Sequence, residues 1–354
     1  MARLYSNLKF LRFRDRLEAL ETRRLAAPVH VRIKPINRCN HNCWYCAYRV
    51  DNLQLGDGME LTDRIPDAKM FEIVEDVVAM GVKAVTFSGG GEPLLYKPLP
   101  EVVDALAAGG VRIGCLSNGS NLRGRMAEAF ARHATWLRVS IDSWDDASHT
   151  RHRGTPDGSF TQLVDNMRAF AASGTACVLG VSLIIGAENK DRIFEVCALM
   201  RDIGVDHVKL SGVVVANSGA ENNAYHARIK DEVAAQIARA KTLSRDGFAV
   251  IDHYHDLDEL FDKDYRSCPF LQFLTVIGAD CKVYACQDKA YTEAGLLGSI
   301  AQTRFRDFWF SEENHRRLFG IDPSRDCRHH CVAHAKNLVL HEILSTEPAH
   351  GVFV

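Results

Sequence analysis

No stretch of this 354-residue chain approaches the roughly 18 consecutive apolar residues that a membrane span needs. Its opening, MARLYSNLKFLRFRDRL, has no apolar core of the secretory kind, which argues against export. Neither sign of charge is in excess. With a formal net charge of −2 and no strongly basic face implied, a nucleic-acid partner is not expected. Low-complexity tracts and internal repeats, beyond an alternation described below, are also missing. What these absences leave is a globular chain, 47% hydrophobic, long enough for one large domain or two smaller ones and expected in the cytoplasm.

Cysteine, by contrast, is plentiful and unevenly spread. Eleven cysteines in an exported protein would suggest disulfides; here, gathered at two places, they point to metal. Cys39, Cys43 and Cys46 form C-x3-C-x2-C inside NRCNHNCWYC, and Cys268, Cys281, Cys286, Cys327 and Cys331 crowd the final quarter. Cys115, Cys177 and Cys197 stand singly in apolar or helical contexts and read as buried fillers. Three thiolates so close together can hold three irons of a [4Fe–4S] cube and leave the fourth iron open to chemistry. A structural zinc site, with His41 as fourth ligand, is the alternative for the triad.

Between these groups the chain alternates. Apolar runs at 29–33, 84–87, 111–116, 137–141, 177–185 and 207–215 predict strands, and helical patterns fill 67–80, 99–108, 123–133, 160–173 and 191–203, several ending at glycine. Residues 8–27 predict an amphipathic helix lying on the main domain, and 224–243 a helix closing it. Six such units make an α/β fold with a parallel sheet, whose chemistry belongs at the carboxyl ends of the strands. The cysteine triad follows the first strand, and SGGGEP, SNG and SIDS follow the next three. Past Cys268 the texture changes to short strands and turns. The expected organisation is an N-terminal helix over 1–28, a main domain over 29–245 and a cysteine-bearing domain over 246–354.

The triad, with Tyr45 before its last cysteine and Gly90-Gly91-Glu92-Pro93 one strand later, resembles the radical S-adenosylmethionine (radical SAM) superfamily. That resemblance covers about residues 29–345 and implies a partial (β/α)6 TIM-type barrel binding a [4Fe–4S] cluster and S-adenosylmethionine. It assigns cluster ligation to Cys39, Cys43 and Cys46, and the methionine amino group to Gly90, Gly91 and Glu92. Asn118, Ser140, Asp142 and Arg153 take the ribose and carboxylate, an Arg fork being a natural carboxylate partner. Tyr45 offers its backbone to the adenine, and Leu210 lines the adenine pocket. The late cysteines, with LGSI and FRDFWF between them, are similar to the SPASM/twitch extension of some relatives. The resemblance makes Cys268, Cys286, Cys327 and Cys331 the ligands of a second, auxiliary [4Fe–4S] cluster. Cys281 stands where that pattern has glycine, and the last pair is spaced x3 where x2 is usual. A four-cysteine zinc site is the alternative there, with His329, His330 and His334 nearby.

The activity implied is hydrogen abstraction by a 5′-deoxyadenosyl radical from a small polar substrate. A sugar, aminocyclitol or nucleotide sugar dehydrogenated with help from the auxiliary cluster is the first choice, with flavodoxin or ferredoxin as electron donor. His253, His255, Asp288 and Lys289 are the candidate acid–base groups, recommended by position alone. Peptide modification ranks second, because only some 28 residues precede the first strand and a peptide-docking domain needs more. A non-catalytic iron–sulfur or zinc protein ranks third, since it leaves GGEP and Arg153 without a purpose.

Overall fold

The structure is a computed structural model describing residues 5–50, 53, 56–254, 261–347, 349, 350 and 353. The six predicted strands form as β1 (His30–Ile33), β2 (Ala84–Phe87), β3 (Arg112–Ser117), β4 (Ala134–Ile141), β5 (Val178–Ile185) and β6 (His207–Gly212). They pair in parallel, in chain order, and helices alternate with them. The alternation does not stop there. A seventh parallel strand, β7 (Ala249–Asp252), adds to β6 in a stretch whose acidic residues concealed its AVI core. On the other edge β8 (Leu274–Ile277) pairs in parallel with β1, and β9 (Lys282–Tyr284) and β10 (Leu296–Ser299) continue antiparallel. One sheet of ten strands therefore runs through residue 245 without interruption.

Strand alternation sorts the side chains. Val31 and Ile33, Val85 and Phe87, Ile113 and Cys115, Val139 and Ile141, and Val208 and Leu210 all join the main hydrophobic cluster. The helices Asp67–Ala79, Leu99–Ala108 and Ser159–Ala171 supply its other half through Ile73, Val77, Val102, Leu106, Leu163 and Met167. Cys115, Cys177 and Cys197 lie buried in this cluster, as fillers do. The opposite, inner face carries His30, Arg32, Arg138, Ser140, Ser182 and Lys209 between those apolar positions. Its curvature is measurable at Tyr5, whose hydroxyl accepts from Arg138 Nη1 at 3.0 Å and lies 3.1 Å from His207 Nε2. Arg138 is on β4 and His207 on β6, two strand spacings or about 10 Å apart in a flat sheet. Side chains reach each other across the concavity, which has the form of a partial barrel.

The N-terminal segment departs from expectation. Only Arg14–Glu21 is α-helical, after a short 3₁₀ turn at Lys9–Arg12; Phe13 breaks the path, and Arg23 leaves it with φ +50°. Phe10 and Leu20 pack with Phe273 and Leu340 from the late part of the chain, which forms the hydrophobic surface nearest to them. Residues 224–243 are likewise two helices, Gly219–Ala227 and Lys230–Lys241, separated at Arg228 and Ile229. Within the predicted FRDFWF helix, Phe305–Trp309, the Trp309 ring is fully buried and its Nε1 donates to the Ala26 carbonyl at 2.8 Å. Trp309→Ala removes the largest fully buried side chain and that bond together. It is expected to cost about 3–5 kcal/mol, read as a lower midpoint in urea unfolding.

Candidate functional site

β1 ends at Ile33 and the chain turns outward into a segment with little regular structure, residues 34–50. It is fixed by backbone bonds from two neighbours. Gly91 N–H donates to the Ile36 carbonyl at 3.1 Å and Glu92 N–H to the Arg38 carbonyl at 3.0 Å. From the other side, Asn42 N–H donates to the Arg153 carbonyl at 2.7 Å and Trp44 N–H to the His152 carbonyl at 3.2 Å. Gly91 permits the first contact because a Cβ there would stand 2.1 Å from the Arg38 carbonyl oxygen. At the root of the loop, Tyr291 Oη donates to Asn37 Oδ1 at 2.5 Å, tying it to the late cysteine region.

Cys39, Cys43 and Cys46 are carried on this loop, all free and half-buried. Burial pushes the Cys39 thiol up and the Cys43 thiol up to about 11, so a bound metal would have to displace their protons. His41, the fourth ligand of the zinc alternative, is buried with its ring centre 5.5 Å from that of His149. Among the described residues no group of three His, Cys, Asp or Glu side chains is gathered for a metal ion. Three free cysteines within eight residues on a loop held by its backbone nonetheless suit a cube, whose ligands surround it and do not converge on one point.

The residues around the loop are more engaged than the resemblance implies. Glu92 is 2% exposed, and its carboxylate accepts from Leu94 N–H at 2.9 Å, Ser117 Oγ at 2.7 Å and Asn118 N–H at 2.7 Å. Both oxygens are thus used inside the protein, and Glu92 acts by fixing Asn118 in place. Asn118 Nδ2 donates to Asn40 Oδ1 at 2.9 Å and lies 3.9 Å from Cys39 Sγ. Arg153 is also spoken for: Nε donates to Asp142 Oδ1 at 2.6 Å and Nη2 to Tyr45 Oη at 2.7 Å, Arg153 and Asp142 being buried and Tyr45 half-buried. Burial opposes the Arg153 charge, but Asp142 and Tyr45 outweigh it and hold the guanidinium protonated. Arg153 therefore braces the cysteine loop through Tyr45. A small crevice opens beside this pair, lined by Trp44, Tyr45, Asp142, His152, Gly186 and Asn189. Ser140 lies on the inner face of β4, in register with Ser182. Leu210 is a correction: its side chain is fully buried in the outer core and its carbonyl accepts from His253 N–H at 3.1 Å. It lines no pocket for an adenine.

The late cysteines lie in two places. Burial pushes the Cys286 thiol well up, and Asp288, Cys331, Cys268 and Cys327 all lie close enough to add to it. Asn337 Nδ2 donates to Cys268 Sγ at 3.1 Å. Cys281 stands elsewhere, among Asp280, Lys69, Asp63 and Glu72. Its φ of +56° is the left-handed backbone that glycine usually supplies, in a turn closed by Cys281 N–H on the Gly278 carbonyl at 3.1 Å. Four free sulfurs sharing one buried region suit a closed cluster.

Of the acid–base candidates, Asp288 is 8% exposed, accepts from Val332 N–H at 3.1 Å and lies between two groups of residues. Its charge reaches Cys286 and Cys331 on one side and Arg32 and Lys34 on the other. Lys289 is buried near Asp326 and Cys327. The His253 ring packs edge-on against Tyr5 at 5.3 Å, close to His207 and Arg138. His255 lies outside the described residues. A surface recess of about 500 Å³ between Lys282, Gly298, Phe308 and Arg317 is lined by none of the predicted site residues. Arg32, Lys34, Arg138 and Lys209 on the inner face were not singled out from the sequence. Their signal is the every-other-residue charge in HVRIK, LRVSI and HVKLSG, which reads as apolar strand until the second face is considered.

Residues 33–200 match the radical SAM superfamily. Over 120 residues the chain is 36% identical to the GTP 3′,8-cyclase of Synechococcus elongatus, covering 33% of this chain and 35% of that one. It is 25% identical over 224 residues to the PqqA peptide cyclase of Xanthomonas campestris pv. campestris, covering 62% and 56%. The chain thus spans less than two thirds of either relative. In fold it is similar to Streptococcus suis SuiB bound to precursor peptide SuiA, with a TM-score of 0.63 at 15% identity over 94% of this chain and 78% of that one. No helix among the described residues is long and apolar enough to cross a membrane.

The inner-face imidazoles make stability depend on pH. Burial, helped by Arg32, holds His30 at about 3, and burial, helped by Arg138, holds His207 at about 4, against about 6.5 unfolded. Above pH 6.5 neither state carries the proton and their contribution is fully present. As pH falls from about 6.5 toward 3–4 the unfolded chain takes up protons first, and stability is lost. At pH 5 each is expected to subtract about 2 kcal/mol. Urea midpoints at pH 7 and pH 5 measure this, and His207→Gln should shrink the difference between them.

Proposed function

Because the chain carries a radical SAM superfamily domain over residues 33–200, we propose that it reductively cleaves S-adenosylmethionine and abstracts hydrogen from a small polar substrate. A sugar, aminocyclitol or nucleotide-linked sugar is the substrate class, and dehydrogenation the outcome. The superfamily implies a [4Fe–4S] cluster with S-adenosylmethionine, for which Cys39, Cys43 and Cys46 would be the ligands. Cys268, Cys286, Cys327 and Cys331 would hold a second cluster of twitch type. When bound, the first cluster and S-adenosylmethionine supply the abstracting radical, and the second cluster supplies an electron acceptor.

The observation that carries this reading is the docking of the cysteine loop onto the glycine turn, through Gly91 N–H on Ile36 and Glu92 N–H on Arg38. Such a turn is a place where a ligand meets backbone. The remaining groups bind and orient. Asn118 sits beside Cys39, and the crevice at Trp44, Tyr45 and Gly186 gives an adenine aromatic and backbone neighbours. Asp288 is the group suited to accept a hydroxyl proton, since its charge is felt both by the late cysteines and by the inner-face cations. A flavodoxin- or ferredoxin-type protein is the electron donor that fits this scheme.

One observation favours peptide modification as a second reading: the similarity to PqqA peptide cyclase extends over 62% of this chain, against 33% for the GTP 3′,8-cyclase. The polar inner face supports the small-molecule reading first.

Anaerobically reconstituted protein supplied with dithionite and S-adenosylmethionine is expected to form 5′-deoxyadenosine and methionine, and Cys43→Ala to form neither. A colourless, zinc-loaded protein without cleavage would contradict the proposal. Two cubes require about eight irons per chain. Cys286→Ala should lose about half of them while Cys281→Ala keeps nearly all. Equal losses from both variants would put Cys281 among the ligands.

A further inference from the structure

Two guanidinium groups on the inner face have a buried nitrogen without a partner among the described residues. Arg32 on β1 makes no hydrogen bond to any described residue, and its Nε is buried without a partner. The Nε of Arg138 on β4 is buried and unpartnered in the same way, although Nη1 donates to Tyr5. Arg32 and Arg138 are near enough for each charge to be felt by the other. Above them Lys34 is fully buried, donating to Tyr48 Oη at 2.8 Å with its ammonium 4.5 Å from the Tyr48 ring centre. Lys209 Nζ is 5.8 Å from the ring centre of Tyr5. Among the described residues no carboxylate forms an ion pair with Arg32, Lys34 or Arg138; the charge of Asp288 reaches both Arg32 and Lys34, with Tyr48 and Cys286 also near Arg32 and Cys46 near Lys34.

Buried guanidinium nitrogens with neither hydrogen bond nor counter-ion are costly to fold around. A second cluster near Cys286 would answer some of the charge on Arg32. It leaves the unpartnered Nε of Arg138, which stands with Tyr5 and His207, without an answer. The unpartnered Nε donors of two Arg side chains on one face of the sheet, near enough to feel each other's charge, are suited to an anion with several acceptor oxygens. One carboxylate carries a single charge. A phosphate carries about two with three free oxygens, and so matches the pair.

The geometry points to a phosphate-bearing small molecule as the substrate, its phosphate held between Arg32 and Arg138 with Lys209 alongside. This rests on the radical SAM reading above and narrows its substrate to a sugar phosphate or nucleotide. The phosphate is a handle: it orients the carbon to be attacked and takes no part in bond breaking.

The test titrates inorganic pyrophosphate into anaerobically reconstituted holoprotein by calorimetry, with triglutamate as an acidic-peptide probe. Pyrophosphate is expected to bind. Arg32→Gln and Arg138→Gln should each weaken it by about tenfold or more, the loss typical of one charge-assisted contact. Arg32→Lys, which keeps the charge and the fold, should bind better than Arg32→Gln, and Arg168→Gln, on an exposed helix face, should bind like the unmodified protein. Absence of pyrophosphate binding, binding by Arg32→Gln or Arg138→Gln as tight as by the unmodified protein, or triglutamate binding as tightly as pyrophosphate would each overturn the inference. If the Gln variants fail to fold, affinity of Arg32→Lys unchanged from the unmodified protein does so too. S-adenosylmethionine cleavage in the same preparation separates the two readings. Cleavage without pyrophosphate binding removes only the phosphate, whereas binding without cleavage removes only the radical chemistry.

Discussion

A loop that must present three cysteines has few side chains to spare for its own anchoring, so its neighbours' backbone has to hold it. Main-chain bonds do so here: two from the Gly91–Glu92 turn and two to the last carbonyls of the helix Asp146–Arg153 clamp its outer part, while Asn37 N–H on the Asp63 carbonyl and Ile65 N–H on the Pro35 carbonyl hold its root. Everything else at the rim serves those two clamps. Glu92 cross-links the turn to Asn118, and Asp142 holds Arg153, which holds Tyr45. The arrangement explains why residues that look free to meet a ligand in the sequence are occupied. Their polar groups are the framework of the loop, and a ligand meets glycine and main chain between them.

Much of this was legible in advance. Alternating apolar runs and helical patterns located all six of the first strands, because each outer face packs on a helix and must be apolar. Cys281 stands where the resembled pattern has glycine, and its φ of +56° is the backbone a glycine would supply. Other features were hidden for physical reasons. β7 is four residues long and its signal is diluted by the acids that follow. β8 reads as an isolated short strand, and nothing local in LTVI announces that its partner lies some 240 residues earlier, at β1. Leu210 failed because position at a strand end does not tell which face a side chain takes; strand parity puts it with Val208 on the outside.

The inner face shows what parity reveals when it is applied to both sides. On β1, β4 and β6 the residues between the apolar ones are His30, Arg32, Arg138, His207 and Lys209. The glycines on this face have a packing role: Gly180 leaves room for the His207 ring, whose nearest atom would be 2.4 Å from a Cβ there, and Gly114 does the same for Trp136. Large polar side chains cross a concavity that would otherwise be filled by apolar ones. That polarity distinguishes this face from a barrel interior packed with apolar layers.

The pairing of β1 with β8 also sets an order of events during synthesis. Until residue 277 has emerged, β1 has β2 on one edge and unpaired peptide groups on the other, an exposed template for the wrong strand. Contacts so distant in the chain form slowly and late. The cysteine loop grows directly out of that half-paired strand, and Asn37 at its root waits for Tyr291. A nascent chain therefore carries its three early thiols on an unfinished support, open to oxidation and to stray metal. For the cluster proposed above, iron delivered before the last quarter of the protein is made would meet three thiols on an unfinished support, so completion of the chain would be the point at which such a site first exists.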